Sequence, residues 1–196
     1  MQKHLAQSFA DSVDLLHRFT TDRENLSNVT AAVDLIAQTF RAGNKVLIAG
    51  NGGSMCDAMH FAEEFTGRYR KDRRPLPVIA ISDPTHISCV ANDFGVDQIF
   101  SRGVEAYGAP GDVFVGLSTS GNSANIIAAC ASARKKKLKT VLFLGKDGGR
   151  LKKSGDIRFI VPGVTSDRVQ EVHMTLLHVI IEGVERKMFP AHYAPA

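Results

Sequence analysis

Three features are scarce in this 196-residue sequence, and each scarcity excludes a class of protein. Cysteine occurs only as Cys56, Cys89 and Cys130. The number is odd, the spacing wide, and no C-x-x-C pair exists. Neither a disulfide framework nor a four-cysteine zinc centre is expected, and reduced thiols fit better. No apolar run is long enough to span a bilayer, so no membrane partner is expected. The opening residues MQKHLAQSFADS carry no apolar signal core and no cleavage pattern, which points to the cytoplasm. Internal repeats, linkers and low-complexity tracts are also missing.

What remains has the composition of an ordinary globular chain, 44% hydrophobic and 22% charged, at a length that favours one domain with a real core. The net charge is +4, and two basic runs contribute most of it: RYRKDRR (68–74) and RKKK (134–137). No recognised nucleic-acid motif accompanies them. They read as solvated surface, with RKKK at a helix C-terminus where cations suit the dipole, and no nucleic-acid partner is expected. The mild positive field would attract phosphorylated substrates.

The first 41 residues have helical periodicity. Leu5, Phe9, Val13 and Leu16 share one face, and Val29, Val33, Ile36 and Phe40 another, before a stop at Gly43. Five short apolar runs then alternate with helical patterns: KVLIAG (45–50), PVIAIS (77–82), DVFVGLS (112–118), KTVLFLG (139–145) and DIRFIV (156–161). They are continuous rather than alternating, as strands covered on both faces require. Helices are predicted near 53–68, 85–107, 123–137, 148–154 and 167–189. The fold class is therefore α/β: a three-layer sandwich with a five-stranded parallel sheet flanked by helices, after a helical N-terminal extension. Residues 1–196 read as a single domain, with N-terminal helices over 1–43 and an α/β core over 44–190.

In such sheets ligands bind beyond the carboxyl ends of the strands. That places three loops in view: 51–54, 83–93 and 118–123. The third, in STSGNSAN, offers Ser118, Thr119, Ser120 and Ser123 around Gly121 just before a helix. A capped helix needs one serine; four hydroxyls in six positions suggest a phosphate site at helix N-terminal amides. The first loop, Asn51-Gly52-Gly53-Ser54, resembles a dinucleotide fingerprint with Asp83 as an acidic partner. Met55, however, stands where its third glycine belongs, and no G-x-x-x-x-G-K-[ST] match exists. A small sugar held by Asn51 and backbone amides fits as well. The second loop holds Asn92 and Asp93, which would otherwise serve as a turn or helix stop.

His60 and Glu64 lie four apart on one helix face, a usable half-site for zinc, an acid–base pair, or a surface pair. The last helix, DRVQEVHMTLLHVIIEGVE (167–185), carries Gln170, Glu171, His173 and His178 in an apolar stretch. His178 is flanked by Leu177 and Val179, so it is either a satisfied core histidine or a functional one. His173 reads as solvated. Gln170 and His178 are separated by about 12 Å of helix axis, and spacing alone does not join them.

Taken in order, GNGGSMCDAMHFAEEFTGRYR, AISDPTHISCVANDFG, STSGNSAN, LGKDGG and DRVQEVHMTLLH resemble the phosphoheptose isomerases of the sugar isomerase (SIS) domain family, up to about Lys187. The resemblance implies isomerisation of sedoheptulose 7-phosphate to D-glycero-D-manno-heptose 7-phosphate, the first step towards ADP-heptose and the lipopolysaccharide core. It implies a homotetramer with one zinc per subunit on His60, Glu64, Gln170 and His178. It also implies substrate contacts from Asn51, Gly52, Gly53, Glu64, Asn92, Asp93, Ser118, Thr119, Ser120, Ser123 and Gln170, with Arg68 and Asp167 in support. Ketose–aldose exchange needs a base for the carbon proton and an acid for the oxygens, roles that fall to Glu64 and His178. The competing reading is a non-catalytic SIS-type binding protein, a sugar-phosphate sensor or a replication-initiator partner. The retained Glu64 and His178 speak against it.

Overall fold

The computed structural model describes residues 1–194; the last two residues of the 1–196 span lie outside the described part. Two helices open the chain, α1 (Gln2–Thr21) and α2 (Arg23–Arg41). They are parted at Asp22, which leaves helical geometry and caps α2 by accepting from the Glu24 N–H at 2.8 Å. The remainder alternates: β1 (Val46–Ala49), α3 (Gly53–Thr66), β2 (Val78–Ala80), α4 (Pro84–Phe94), α5 (Ile99–Tyr107), β3 (Val113–Ser118), α6 (Ala124–Lys135), β4 (Lys139–Gly145), β5 (Ile157–Val161) and α7 (Ser166–Met188).

All five strands pair in parallel, in the order β2-β1-β3-β4-β5. The side-chain period of two divides each strand between two cores. Val46 and Ile48 of β1 face the layer of α1, α2, α3 and α7, while Leu47 faces α4, α5 and α6. Both faces are dry, which explains the unbroken apolar runs.

Three expectations need correction. The helical pattern over 85–107 is broken at Gly95, whose φ of 91° suits only glycine, and a 3-10 turn (Val96–Gln98) separates α4 from α5. Residues 83–93 are therefore not a loop. Asp83 caps α4 by accepting from the His86 N–H at 2.8 Å, with Pro84 in the first turn, so its acid serves the helix and not a ribose. The pattern over 148–154 is one 3-10 turn, Gly149–Leu151.

Helix α1 buries only part of its apolar face. Leu15 and Phe19 join the core, whereas Leu5, Phe9 and Val13 are 54%, 75% and 68% exposed. No helix among the described residues is long and apolar enough to cross a membrane.

Candidate active site

The strand order reverses direction between β1 and β3, and the crevice of such a sheet opens beyond the carboxyl ends of those two strands. The glycine turn after β1 and the serine loop after β3 meet there. Asn51 and Asn125 exchange side-chain amide hydrogen bonds across the gap, at 2.9 and 2.8 Å.

In the serine loop, the Ser118 and Ser123 hydroxyls lie 2.8 Å apart, and Thr119 pairs with Ser166 at 3.1 Å. Ser120 accepts from the Asn122 N–H at 3.1 Å. Ser123 stands at the N-cap of α6, yet its hydroxyl makes no capping bond. Gly52 before α3 and Thr165 before α7 likewise supply no side-chain cap. Three helices thus begin at this edge with their first amides not taken up by capping side chains, the arrangement that favours an anion. Gly121 has φ 64°, and a Cβ there would lie 2.0 Å from the Gly148 carbonyl oxygen. That contact is why the loop needs glycine and why LGKDGG packs beneath it.

Helices α3 and α7 run side by side in the same direction. Gln170 of α7 packs its amide over Gly53 and donates to Ser54 Oγ at 3.3 Å. Eight residues on, His178 Nε2 faces His60 Nε2 at 3.0 Å, and Glu64 Oε1 lies 3.5 Å from the same His60 nitrogen. One ligand atom from each of His60, Glu64 and His178 falls within 4.8 Å of the others. Glu63 Oε1 holds His60 Nδ1 at 3.1 Å, the outer carboxylate a ligating imidazole commonly has. Asp57, one turn before His60, buries Oδ2 with no hydrogen-bond partner. Two imidazole nitrogens and a carboxylate, with an orphaned carboxylate oxygen nearby on the same helix, are a donor set that could hold a metal ion.

Burial shifts three groups at the site. It raises the Glu64 carboxyl, helped by neighbouring Glu63. It lowers His178, with His60 and Arg70 adding to the effect. It pushes Asp57 up to about 6 against the pull of His60.

The sequence reading is thus gathered in part. His60, Glu64 and His178 converge, as do Asn51, Gly52 and Gly53 with Ser118 and Ser123 at the crevice. Gln170 sits at the glycine end of the helix pair and bonds to Ser54, two turns from His178. Asn92 and Asp93 lie at the exposed end of α4; Asn92 donates to Asp93 at 2.7 Å, and neither bonds to the crevice loops. His173, read as solvated, is fully buried: Nε2 bonds to the Leu144 carbonyl at 3.1 Å, the ring packs edge-on to Phe143, and burial lowers it to about 4. It is the core histidine of α7, and His178 the accessible one. The run 68–74 is not simply solvated, since the Arg73 side chain is fully buried against Glu185. Asn125, Ser166, Asp57 and Tyr69 escaped the sequence reading. The first two lie in or beside recognised motifs, but their partners are residues 74 and 47 positions away.

The family model described as SIS domain matches residues 8–145. The phosphoheptose isomerase of Fusobacterium nucleatum is 58% identical over 190 residues, 97% of this chain and 98% of that protein. The phosphoheptose isomerase of Vibrio cholerae is 52% identical over 95% of this chain and 98% of its own length. The solved phosphoheptose isomerase of Neisseria gonorrhoeae superposes with a TM-score of 0.87 at 34% identity, covering 94% of this chain and 98% of that one.

Proposed function

This chain belongs to the SIS domain family, as a phosphoheptose isomerase acting on sedoheptulose 7-phosphate, and we propose that Glu64 and His178 carry its proton transfers. The observation that supports this assignment is the 3.0 Å approach of His178 to His60, beside Glu64.

The sugar phosphate enters the crevice with its phosphate at the serine loop, where Ser118, Thr119, Ser120, Ser123 and the first amides of α6 receive it. From the start of α3 to His60 is about 10 Å along the helix, a span that an extended seven-carbon phosphate ester bridges. Anchoring at the far end fixes which carbons meet the reactive groups. Asn51, Gly52, Gly53 and Gln170 line the intervening stretch, and Asn92 and Asp93 are proposed contacts that a neighbouring subunit would bring. Glu64 takes the proton from the carbon next to the carbonyl. Burial raises its pKa above the ordinary carboxylate value, which makes it a stronger base, and its side chain makes no hydrogen bond among the described residues. His178 turns Nε2 towards His60, so Nδ1 is the nitrogen left to exchange a proton with the sugar oxygens. Return of the carbon proton to the neighbouring carbon of the enediol completes the exchange. His60, Glu64 and His178 would hold a zinc ion, with Gln170 as a fourth ligand if α7 adjusts at its start. Such an ion, when bound, supplies Lewis-acid stabilisation of negative charge on the adjacent sugar oxygens.

The remaining features are proposals of the same kind. Leu5, Phe9, Val13, Leu26 and Val179 leave an apolar surface over α1, α2 and α7, with grooves between the helices. A second copy of the chain is its proposed occupant, within a homotetramer. A cytoplasmic location and entry into the lipopolysaccharide heptose route follow from the reaction. Incubation of the purified protein with sedoheptulose 7-phosphate, with and without a chelator, tests the central assignment. Aldose product that disappears with chelator and returns with zinc is expected. Absence of product from the metal-loaded protein would favour a binding role instead.

A further inference from the structure

The two imidazoles of the cluster are held differently. His60 is fixed on both sides of its ring, by His178 at Nε2 and by Glu63 at Nδ1. His178 has a hydrogen bond only at Nε2, and among the described residues its Nδ1 has no partner. A half-buried imidazole with one hydrogen bond can swing about its side-chain torsions unless packing prevents it.

The packing comes from the stretch that leaves α3. Tyr69 lays its ring against His178, with centroids 6.0 Å apart and planes 24° from parallel, while His60 meets the same imidazole edge-on at 5.1 Å. The spacing is that of an offset aromatic stack. Tyr69 is itself backed by Arg70, whose guanidinium lies 5.0 Å from the phenol centroid and pairs with Glu182 at 2.8 Å. Glu182 stands one turn after His178 on α7.

The far end of the stretch is anchored more deeply. Arg73 Nε donates to Glu185 at 2.7 Å, with both side chains essentially inaccessible. Its Nη2 donates to the Glu64 carbonyl at 2.6 Å, and its Nη1 to those of Phe65 and Gly67 at 2.8 and 3.1 Å. These are carbonyls at the end of α3 that lack helical donors, so the guanidinium serves as the C-cap. Tyr193 completes the arrangement by donating to Glu185 at 2.8 Å. One side chain thereby ties the end of the helix that carries His60 and Glu64 to the helix that carries His178.

We propose that residues 67–74 form a strap in which Tyr69 is a positioning residue for the His178 imidazole and Arg73 locks the register of the two site helices. The inference rests on the role assigned to His178. It gives the basic run a purpose that its charge alone does not suggest: Arg70 backs the aromatic ring and Arg73 ties the stretch to α3 and α7.

The test compares wild type with Tyr69→Leu and Tyr69→Phe. Zinc ion is titrated against a chromophoric chelator, kcat and KM are measured on sedoheptulose 7-phosphate, and thermal unfolding is followed. Tyr69→Leu is expected to lose about tenfold in zinc affinity and about tenfold in kcat, with KM within about twofold. Tyr69→Phe keeps the ring and is expected to restore both quantities to within about twofold of wild type. A folded Tyr69→Leu protein with unchanged zinc affinity and kcat overturns the proposal, as does a Tyr69→Phe protein as impaired as Tyr69→Leu. If Tyr69→Leu does not fold cooperatively, Arg70→Met carries the same measurement at a half-exposed position. A several-fold fall in both quantities supports the strap, and no fall overturns it. Wild-type protein that binds zinc but makes no aldose would sink the catalytic reading, while the zinc ratios would still decide the strap.

Discussion

The two ends of the α3–α7 pair are built from different materials. At the start, the contacts are backbone, amide and hydroxyl: Gly53 under Gln170, Gln170 on Ser54, and helix amides without side-chain caps. Two turns along, the same helices bring together His60, Glu64 and His178, with Arg73 and Glu185 clamped beyond them. The first end suits a ligand that carries its charge with it, because oriented N–H groups need no proton exchange to hold an anion. The second end is ionisable, and burial favours the neutral forms of its groups, raising the Glu64 carboxyl and lowering the His178 imidazole. Under the proposed assignment, one helix pair separates holding from reacting, and the register between the helices sets the distance.

That division is most exposed to breakage at the reacting end. Glu64→Gln and His178→Gln are each expected to lose about 10³-fold in kcat while thermal unfolding remains cooperative. Near-normal aldose formation by either purified variant would erase the distinction between the ends. Chelation should abolish most turnover and leave the α/β fold intact by circular dichroism, with zinc restoring activity; activity indifferent to chelator would remove the metal from the account.

Substitutions in the serine loop, beside the holding end, should act on binding and stability instead. Gly121→Ala forces a side chain against the Gly148 carbonyl at positive φ. A loss of about 2 kcal/mol or more is expected, with a melting point lower by about 5 °C and KM raised more than kcat is lowered. Unchanged melting would show that the loop relaxes freely.

Asp57 sharpens the contrast through pH. Its folded pKa is about 6, above the ordinary 3.8. Between those values the folded state keeps a proton that the unfolded chain has lost. Stability therefore falls as pH rises through the window, and the cost is complete above it. Asp57→Asn should stabilise the metal-free protein by about 2 kcal/mol at pH 7.5, and progressively less as pH drops below 6. A gain independent of pH in denaturant melts would rule out the carboxylate as its source. The smallest effect is expected from Thr119→Val, which removes one hydroxyl contact to Ser166: KM about threefold higher at unchanged kcat. A loss confined to kcat would place Thr119 at the reacting end.

Legibility in the sequence followed the range of each interaction. Strands β1 to β5 could be read because burial on both faces demands continuous apolar runs, a local property. The serine loop and the glycine turn were readable for a similar reason: Gly and Ser are demanded by backbone geometry within a few residues. The break at Gly95 was missed because apolar periodicity on either side masks one residue of positive φ. The solvated reading of His173 fails and the choice at His178 stays open in the sequence, because five residues turn a helix face by more than a right angle, and only the positions of Phe143 and Tyr69 say which face is inside.

By itself the sequence determined the layer order, the doubly covered sheet and two of the three loops expected at its ligand edge, since propensity, period and turn chemistry act over short separations. Only the tertiary structure decided that His178 lies 3.0 Å from His60, that Gln170 meets Ser54, and that Arg73 is buried in a run of charge. Those pairs are separated by more than a hundred residues, and what unites them is the packing register of α3 on α7. That register is set by the side chains buried between the helices, and no local pattern encodes it.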